Sequence, residues 1–385
     1  MHHSINTIGS LQGLFRRYLT RMTIQLSRCD SERAVSTNLD RSVYTGSKRK
    51  HPSTLNILGS LPLSPSLPNK GIRLLLSARP PLALLLWVCS TISAVPAPQL
   101  LEDAWWTGPM LAPSGAALPV GRLLVEPYLY DLTSAHGASY GSLTYIVYGL
   151  ADKFSVGAIP VVSFNTGHVE ASTAGPRLGD LTLQAQYQLT QYSVGNWLPT
   201  SSLVIQESLP TGKFDRLQGR VNEGTGAGAY TTTLALYSQT YFWLPNGRIL
   251  RARLDLSRGL SRRAAVQDNS VYGTSDGFRG YVTPGKYFLV DAAVEYSLTR
   301  KWVAALDIIY RRTGDTRVAG YNNDSSDIRL AYRDMLHNYP FFGVAPALEY
   351  NWHANFGVLL GTRIIPRVSG AGATVTTAVA VNCVF

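Results

Sequence analysis

Cysteine is scarce in this sequence. The 385 residues contain only Cys29, Cys89 and Cys383, and only Cys383 falls in the part that we expect to be mature. Three cysteines at these separations form neither a disulfide framework nor a cluster with metal-ligand spacing. The sequence therefore excludes a small disulfide-rich scaffold and a cysteine-based metal centre.

Charge is also sparse, and most of its excess lies at the front of the chain. Charged residues make up 15% of the sequence, and the formal net charge is +11. Residues 1–97 contain twelve Lys or Arg and three Asp or Glu, so this region alone has a net charge of +9. Because the rest is nearly balanced and no basic stripe follows a predicted folded element, we expect no nucleic-acid partner.

Long apolar runs are missing as well. No run of about twenty apolar residues occurs after residue 98, which excludes a transmembrane helix there. The apolar segment 81–89 is too short to span a bilayer, but it follows Lys70, Arg73 and Arg79 and precedes small residues up to Ala97. This order is typical of a secretory signal peptide.

The front of the chain therefore divides into three parts. We expect residues 66–97 to be the signal peptide that exports the chain. Residues 1–65 show no apolar period and are either a disordered extension or the product of a mis-assigned start. Residues 98–120 are expected to form a periplasmic N-terminal segment.

Alternation of apolar and polar residues is abundant in the rest of the chain. In "DLTLQAQYQL" (180–189), Leu181, Leu183 and Tyr187 face one way while the glutamines face the other. Such a period of two predicts β-strands and not helices. We count about twelve such segments: 121–132, 141–150, 154–164, 179–190, 198–209, 227–243, 247–259, 286–298, 301–312, 338–352, 354–366 and 373–385.

The links between these segments alternate strictly between short and long. Short turns on one side and long loops on the other are typical of an outer-membrane barrel. The sequence therefore predicts an all-β fold, a transmembrane antiparallel up-and-down β-barrel of about twelve strands, over residues 121–385. The inferred location is the bacterial cell outer membrane.

Aromatic residues support this layout. Barrels carry aromatic girdles at both membrane interfaces. A second, tyrosine-rich set lies toward the long loops and includes Tyr128, Tyr130, Phe164, Tyr287, Phe288 and Tyr310. The residues beside the predicted short turns, which we assign to a periplasmic-side girdle, are Phe154, Trp197, Trp243, Trp302, Trp352, Phe356 and Phe385.

The last segment ends on a bare Phe385. In a closed barrel the last strand pairs with the first, so no apolar tail is left unpaired. A C-terminal aromatic residue on such a strand resembles the signature recognised by the barrel assembly machinery. That resemblance implies the assembly machinery as a partner through Phe385, with outer-membrane lipid around the wall.

Four segments carry a further resemblance: "YGLADKFSVG" (148–157), "GDLTLQAQYQL" (179–189), "LPTGKFD" (209–215) and "GTGAGAY" (224–230). They resemble the family of outer-membrane proteins linked to the meta-pathway of phenol degradation, and the similarity covers roughly residues 120–385. The resemblance implies a transporter-like β-barrel that passes or binds small hydrophobic, often aromatic, compounds.

Charged residues occur at the predicted inward positions. Charges that faced lipid at the midplane would cost about 2–4 kcal/mol each, so they must point inward. They form either a polar constriction that selects what passes or an ion-pair network that fills a narrow lumen. The ten candidates are Glu126, Arg251, Arg253, Asp255, Asp291, Glu295, Asp307, Arg311, Glu349 and Arg363.

The segment 98–120 leaves two interpretations open. It is too short for a large plug domain. It either enters the lumen, with Trp105 and Trp106 as apolar contacts, or serves as a periplasmic tether.

The sequence predicts a channel or transporter for small hydrophobic compounds, including aromatic ones. The alternatives are a non-conducting structural or adhesive barrel that presents external loops, or a barrel lipid hydrolase. Catalysis is disfavoured because His136, His168, His337 and His353 show no strand-borne Ser–His spacing. We expect no catalytic residue, no cofactor and no bound metal.

Overall fold

The computed structural model describes residues 98–135, 137–167, 175–323, 329–368 and 372–385. The expected signal peptide, 66–97, and the segment 1–65 before it lie outside the described residues. Within the described part, two short 3-10 helices occur, at Leu101–Asp103 and Val221–Glu223. No described helix is long and apolar enough to cross a membrane.

Eighteen strands account for most of the described chain. In chain order they are β1 (Leu123–Ser134), β2 (Gly137–Ala151), β3 (Phe154–Ile159), β4 (Val161–Gly167), β5 (Arg177–Leu178), β6 (Leu181–Thr190), β7 (Thr200–Leu209), β8 (Thr231–Trp243), β9 (Ile249–Ser261), β10 (Ala264–Gln267), β11 (Phe278–Thr283), β12 (Tyr287–Ser297), β13 (Trp302–Thr313), β14 (Thr316–Asn323), β15 (Arg329–Leu336), β16 (Phe341–His353), β17 (Phe356–Ile365) and β18 (Thr374–Val384).

The main sheet closes on itself. Its 14 strands run in the order β1-β18-β17-β16-β13-β12-β9-β8-β7-β6-β3-β2-β4-β5, and β1 also pairs with β2. Two strands of the wall are each broken into two parts, β3–β4 at Pro160 and β5–β6 at Gly179 and Asp180. The 14 strands of the sheet therefore form twelve continuous wall strands, which we call staves. The predicted all-β, antiparallel barrel of about twelve strands is confirmed.

Proline explains the break between β3 and β4. Pro160 has no N–H and cannot donate to the sheet ladder. Its carbonyl still accepts a hydrogen bond of 3.1 Å from the Thr144 amide, so the wall stays joined across the break.

A second sheet, which the sequence did not predict, lies in two of the long loops. Its order is β10-β11-β14-β15, within segments 260–285 and 313–337 that we expected to be loops. Gly280 and Gly320 are paired, and a Cβ at either position would lie within 3 Å of the Phe278 ring. The missing side chains leave room for Phe278 at the centre of a small apolar cluster with Val266, Val282, Val318 and Leu336.

The outward face of the barrel is apolar. Leu254 and Val294 point away from the lumen, with 47% and 40% of their surface exposed. The same face carries Leu183, Leu203, Ile205, Leu234, Leu236, Ile308, Val344, Leu348 and Leu360. An apolar band of this extent is far larger than a water-soluble monomer exposes, so its natural neighbour is hydrocarbon.

Trp243 differs from the predicted girdle. It shares its side of β8 with buried Tyr237 and Gln239, so it points into the barrel, where its indole N–H donates to the Gln99 carbonyl at 2.7 Å. Its neighbour Phe242 takes the outward position and is 50% exposed. The other aromatics assigned to that level are partly or largely exposed: Phe154, Trp197, Trp302, Trp352, Phe356 and Phe385.

The tyrosine-rich set near the long loops also divides between the two faces. Tyr128, Tyr130 and Tyr287 point inward. Tyr287 lies opposite Gly259, and a Cβ at Gly259 would overlap the Tyr287 ring. The tyrosine therefore packs flat across its neighbouring strand, with its hydroxyl 2.8 Å from the Thr233 hydroxyl.

A depth-dependent cost would test the outward apolar face. Leu254 lies at the middle of β9, whereas Leu260 on the same face lies at its long-loop end. We expect Leu254→Lys to lower the free energy of unfolding in phospholipid vesicles by about 2–4 kcal/mol, and Leu260→Lys by about 0–1 kcal/mol. Equal costs at the two positions, measured by denaturant titration, would contradict a lipid-facing band.

Candidate functional site

The ten charged candidates all lie on the inner side of the wall. Seven are buried: Arg251, Arg253, Asp255, Asp291, Glu295, Asp307 and Glu349. The other three, Glu126, Arg311 and Arg363, line cavities in the lumen. Strand alternation brings them there, because each shares its parity with buried residues of its strand.

Glu295 is the centre of an ion-pair group. It lies directly opposite Arg251 in the β9–β12 ladder, with Arg253 one diagonal step away. Arg251 binds both carboxylate oxygens, one through Nε at 2.5 Å and the other through Nη2, while Arg253 Nε donates at 3.1 Å. Breaking such a buried pair leaves an uncompensated charge, so this group fixes the wall more than it attracts solutes.

The N-terminal segment, residues 98–120, lies in the lumen, which is one of the two positions that the sequence left open for this expected periplasmic segment. The Thr107 and Gly108 amides donate to Glu349 Oε2 at 2.7 and 3.2 Å. The Asp307 carboxylate accepts three more amides, from Met110, Leu111 and Ala112, at 3.0–3.3 Å. Carboxylates of the wall thus replace the strand partners that this segment lacks.

The sequence itself explains why the segment does not join the sheet. Pro109, Pro113 and Pro119 remove three backbone donors and break any strand ladder. Its remaining amides still need acceptors once they are buried. Arg253 completes the arrangement by donating to the Ala112 carbonyl at 2.8 Å.

Both ends of the segment lie at the short-turn side of the barrel. Gln99 accepts the indole N–H of Trp243, and the Trp105 amide donates to the Arg300 carbonyl at 3.1 Å. After Ala112, whose amide binds Asp307, the N-terminal segment crosses the lumen and returns to the short-turn side. There the Gly121 amide donates to the Gly149 carbonyl in the β2–β3 hairpin at 2.9 Å. The segment therefore forms a loop that occupies the half of the lumen nearest the short turns, which we call the lower lumen.

Polar wall residues that the sequence reasoning did not single out hold the returning half of this loop. In the sequence, these residues were indicated by the row of inward glutamines in "DLTLQAQYQL". That row predicted a polar face of the wall but did not show which residues it binds. The side chains that hydrogen-bond residues 114–118 are Ser155, Gln186, Gln188, Ser202 and Gln239.

Three cavities lie inside the described part of the barrel, two of them against the loop. The largest, about 500 Å³, is lined by the loop itself, from Trp106 to Pro119. A second, of about 330 Å³, lies toward the long loops beside Tyr287 and Arg311. A third, of about 110 Å³, is mostly apolar and lies against Leu132.

Tyr145 lines all three cavities. Its ring meets that of Tyr128 edge-to-face, with centroids 5.9 Å apart. Tyr145 therefore lies at the junction of the three cavities. Arg363 is the one charged residue among those that line the third cavity.

Two buried acidic residues carry side-chain oxygens that lack a hydrogen-bond partner among the described residues. Asp255 and Asp291 lie directly opposite each other on β9 and β12. Both side-chain oxygens of Asp255 and one side-chain oxygen of Asp291 are buried without a hydrogen-bond partner. These oxygens are therefore acceptors that face the lumen and can bind water or a solute donor.

Three of the four segments that carry the family resemblance meet at the long-loop end. Asp180 accepts the amides of Gly212 at 2.9 Å and Ala227 at 2.7 Å, which joins three of the four motifs. A Cβ at Gly226 would lie 2.5 Å from the Asp180 carboxylate, so glycine is required for this approach. These hydrogen bonds therefore hold a long loop over the second cavity, the one of about 330 Å³.

Glu223 strengthens the same loop. It is buried, and its carboxylate pairs with Arg177, Lys213 and Arg220 at 2.9–3.2 Å. The hydrogen bond from Lys213 is the main cause that lowers the pKa of Glu223 from its ordinary value, against the opposing effect of desolvation.

The histidines that the structure describes lie at opposite ends of the barrel. His337 is 3.0 Å from Asp315 in the long-loop region, whereas the His353 ring lies 6.4 Å from that of Trp105 near the short turns. The fold does not bring these two together.

Comparisons with known proteins give similarity at the level of structure. No family model and no curated protein matches this chain. The COG4313 outer membrane channel from Pseudomonas putida F1 aligns over 70% of this chain and 97% of its own, with 13% identity and a TM-score of 0.48. At such values, function has to be argued from the residues of the barrel itself.

Two further solved structures show weaker similarity. The Pseudomonas putida toluene transporter TodX aligns over 75% of this chain and 92% of its own, with 13% identity and a TM-score of 0.33. The CymD monoaromatic hydrocarbon channel aligns over 70% and 89%, with 9% identity and a TM-score of 0.33.

Removing the Asp307 carboxylate should loosen the lumen loop. Charge-assisted hydrogen bonds contribute about 1.5–3 kcal/mol each. Asp307→Ala should therefore raise the equilibrium constant for opening of the loop about tenfold or more. The measurement is the rate at which a thiol reagent labels Ala116→Cys in a Cys383→Ser background. Asp291→Asn, which does not contact the loop, is the control, and equal labelling rates in both variants would refute the role of Asp307.

The ion-pair group should matter for stability. We expect Glu295→Gln to lower the free energy of unfolding by about 3–5 kcal/mol, because two buried guanidinium groups lose their counter-charge. Denaturant titration measures this loss, with exposed Glu102→Gln as the matched control. A cost below 1 kcal/mol would show that the arginines find another partner.

Proposed function

We propose that this chain is a bacterial outer-membrane channel for small hydrophobic compounds, including aromatic ones. The observation that carries the proposal is the set of three lumen cavities that meet at Tyr145 inside a closed barrel with an apolar outer face. A solute that passes from one cavity to the next must move past this ring. Apolar and aromatic solutes are the class that such a passage accepts.

The charges of the lumen fit this function in two groups. Arg251, Arg253 and Glu295 neutralise one another, which keeps the wall rigid without presenting a strong field to the solute. Arg311 and Glu126 line the cavities and are the residues that would tune selectivity. The proposal includes no catalytic role for any residue.

The N-terminal loop acts as the gate in this proposal. It fills the lower lumen and is held by hydrogen bonds to Asp307 and Glu349. Passage to the periplasmic side requires the loop to shift. The exposed aromatics near the short turns anchor the barrel at the interface, and Phe385 at its C-terminus is offered to the assembly machinery during export.

A non-conducting structural barrel is the second candidate. The occupied lower lumen favours it, because the N-terminal loop is held there by hydrogen bonds to Glu349 and Asp307. The two functions differ in one measurable respect, which is whether a hydrophobic solute enters the cavities.

Tryptophan fluorescence can decide between them. Trp106 lines the largest cavity, so phenol or toluene should change its emission in the purified barrel. Trp106→Phe should abolish the change, and exposed Trp197→Phe should retain it. Tyr145→Ala should weaken solute affinity about two- to tenfold, because an aromatic contact contributes about 0.5–1.5 kcal/mol.

Passage itself is measured in proteoliposomes. The channel predicts faster solute entry than in empty liposomes, and still faster entry for Asp307→Ala, in which the loop is released. No emission change together with no increase in entry would favour the structural barrel.

A further inference from the structure

Three cationic side chains lie together on the outward face of the barrel, outside the lumen described above. Arg258 on β9 and Arg312 on β13 both lie opposite Phe288 of the intervening strand β12. The two arginines and the phenylalanine between them form one row across the wall. Lys286 lies on the same face, two residues nearer to the long loops. All four side chains are exposed.

These cations are unpaired within the described chain. No ion pair or side-chain hydrogen bond joins Arg258, Lys286 or Arg312 to another described residue, whereas inward Arg251 and Arg253 are bound to Glu295. Outward positions on other strands at this end include apolar, neutral and acidic residues, such as Phe342, Thr232 and Glu207. The positive charge is therefore concentrated on three neighbouring strands.

The row lies at the height where hydrocarbon ends. Tyr296, whose hydroxyl accepts from Asn246 in a short turn, marks the opposite interface on β12. From Tyr296 to Phe288 the strand rises about 26 Å along its own axis, which a tilt of about 40° reduces to about 20 Å along the barrel axis. The apolar band of such barrels is about 25 Å tall, so the Cα atoms of the row lie roughly 5 Å inside its edge, and the long arginine side chains extend from there to the headgroup layer.

Apolar residues continue directly below the cations. The next outward row is Leu256, Val290 and Tyr310, and the row after it is Leu254, Ala292 and Ile308. An amphiphile with an anionic head and acyl chains matches this arrangement, because its chains can lie along these rows while its head meets the arginines.

Phosphate is the anion that suits this spacing. Neighbouring strands are about 4.8 Å apart, so the Cα atoms of Arg258 and Arg312 are separated by about 10 Å. Both guanidinium groups can reach a single phosphate between them, and arginine binds phosphate through a planar fork of donors. Phe288 between them supplies the apolar floor.

We propose that Arg258, Arg312 and Lys286 bind the phosphorylated headgroup of an outer-leaflet lipid of the lipid A class. The proposal rests on the membrane location given under the proposed function, but not on solute passage. The site would hold the barrel at a fixed height and give it an annular lipid on one side.

The test measures lipid A binding by native mass spectrometry of the purified full-length barrel in non-ionic detergent. Wild type should bind diphosphoryl lipid A, and Arg258→Gln/Arg312→Gln should bind it at least tenfold more weakly. Arg333→Gln, an exposed arginine in the external sheet, is the matched control and should bind as wild type does. Arg258→Lys/Arg312→Lys, which retains both charges, should fall between the two.

Competition identifies the source of the phosphate. Millimolar inorganic phosphate should leave lipid A bound, and dephosphorylated lipid A should bind at least tenfold more weakly than lipid A. Displacement by inorganic phosphate, equal binding of the dephosphorylated lipid, or unchanged affinity in Arg258→Gln/Arg312→Gln would overturn the proposal. Solute entry measured on the same variants separates this result from the channel function, because a lost lipid site leaves the lumen intact.

Discussion

Every backbone N–H and C=O group in a wall that faces hydrocarbon must find its partner within the protein, because lipid offers none. The closure of the sheet meets this requirement down to the last residue. The Leu123 amide donates to the Phe385 carbonyl at 3.2 Å, and the Phe385 amide donates back to Leu123 at 2.9 Å. The apolar outer face, the alternation of each strand and the terminal phenylalanine all follow from this one constraint.

The same requirement governs the inside of the barrel, where a second piece of chain has no strand to pair with. The prolines of residues 98–120 prevent ladder formation, so their amides use side-chain acceptors instead. Asp307 and Glu349 are placed for this purpose, each accepting more than one amide. An inward carboxylate in this barrel is therefore a substitute for a missing strand.

The sequence predicts the wall well because alternation is a local property, and each of the twelve expected segments overlaps one stave. Parity along "LALYSQTYFW" also places Trp243 inside with Tyr237, although its position beside a short turn suggested the girdle. The lumen loop has no such period, and its partners are spread along the chain from Ser155 to Glu349, so its position was open. The external sheet was missed because Gly280 and Gly320 interrupt its apolar pattern.

The two ends of the lumen are closed by the same chemistry. Asp180 binds backbone amides of a long loop at one end, and Asp307 binds those of the N-terminal loop at the other. A hydrophobic solute cannot replace these donors, so it cannot open either closure one hydrogen bond at a time. Each loop must instead move as a unit and keep its own amides solvated. In the channel that we propose, selection therefore depends on the stability of two carboxylate-held loops as much as on the width of the space between them.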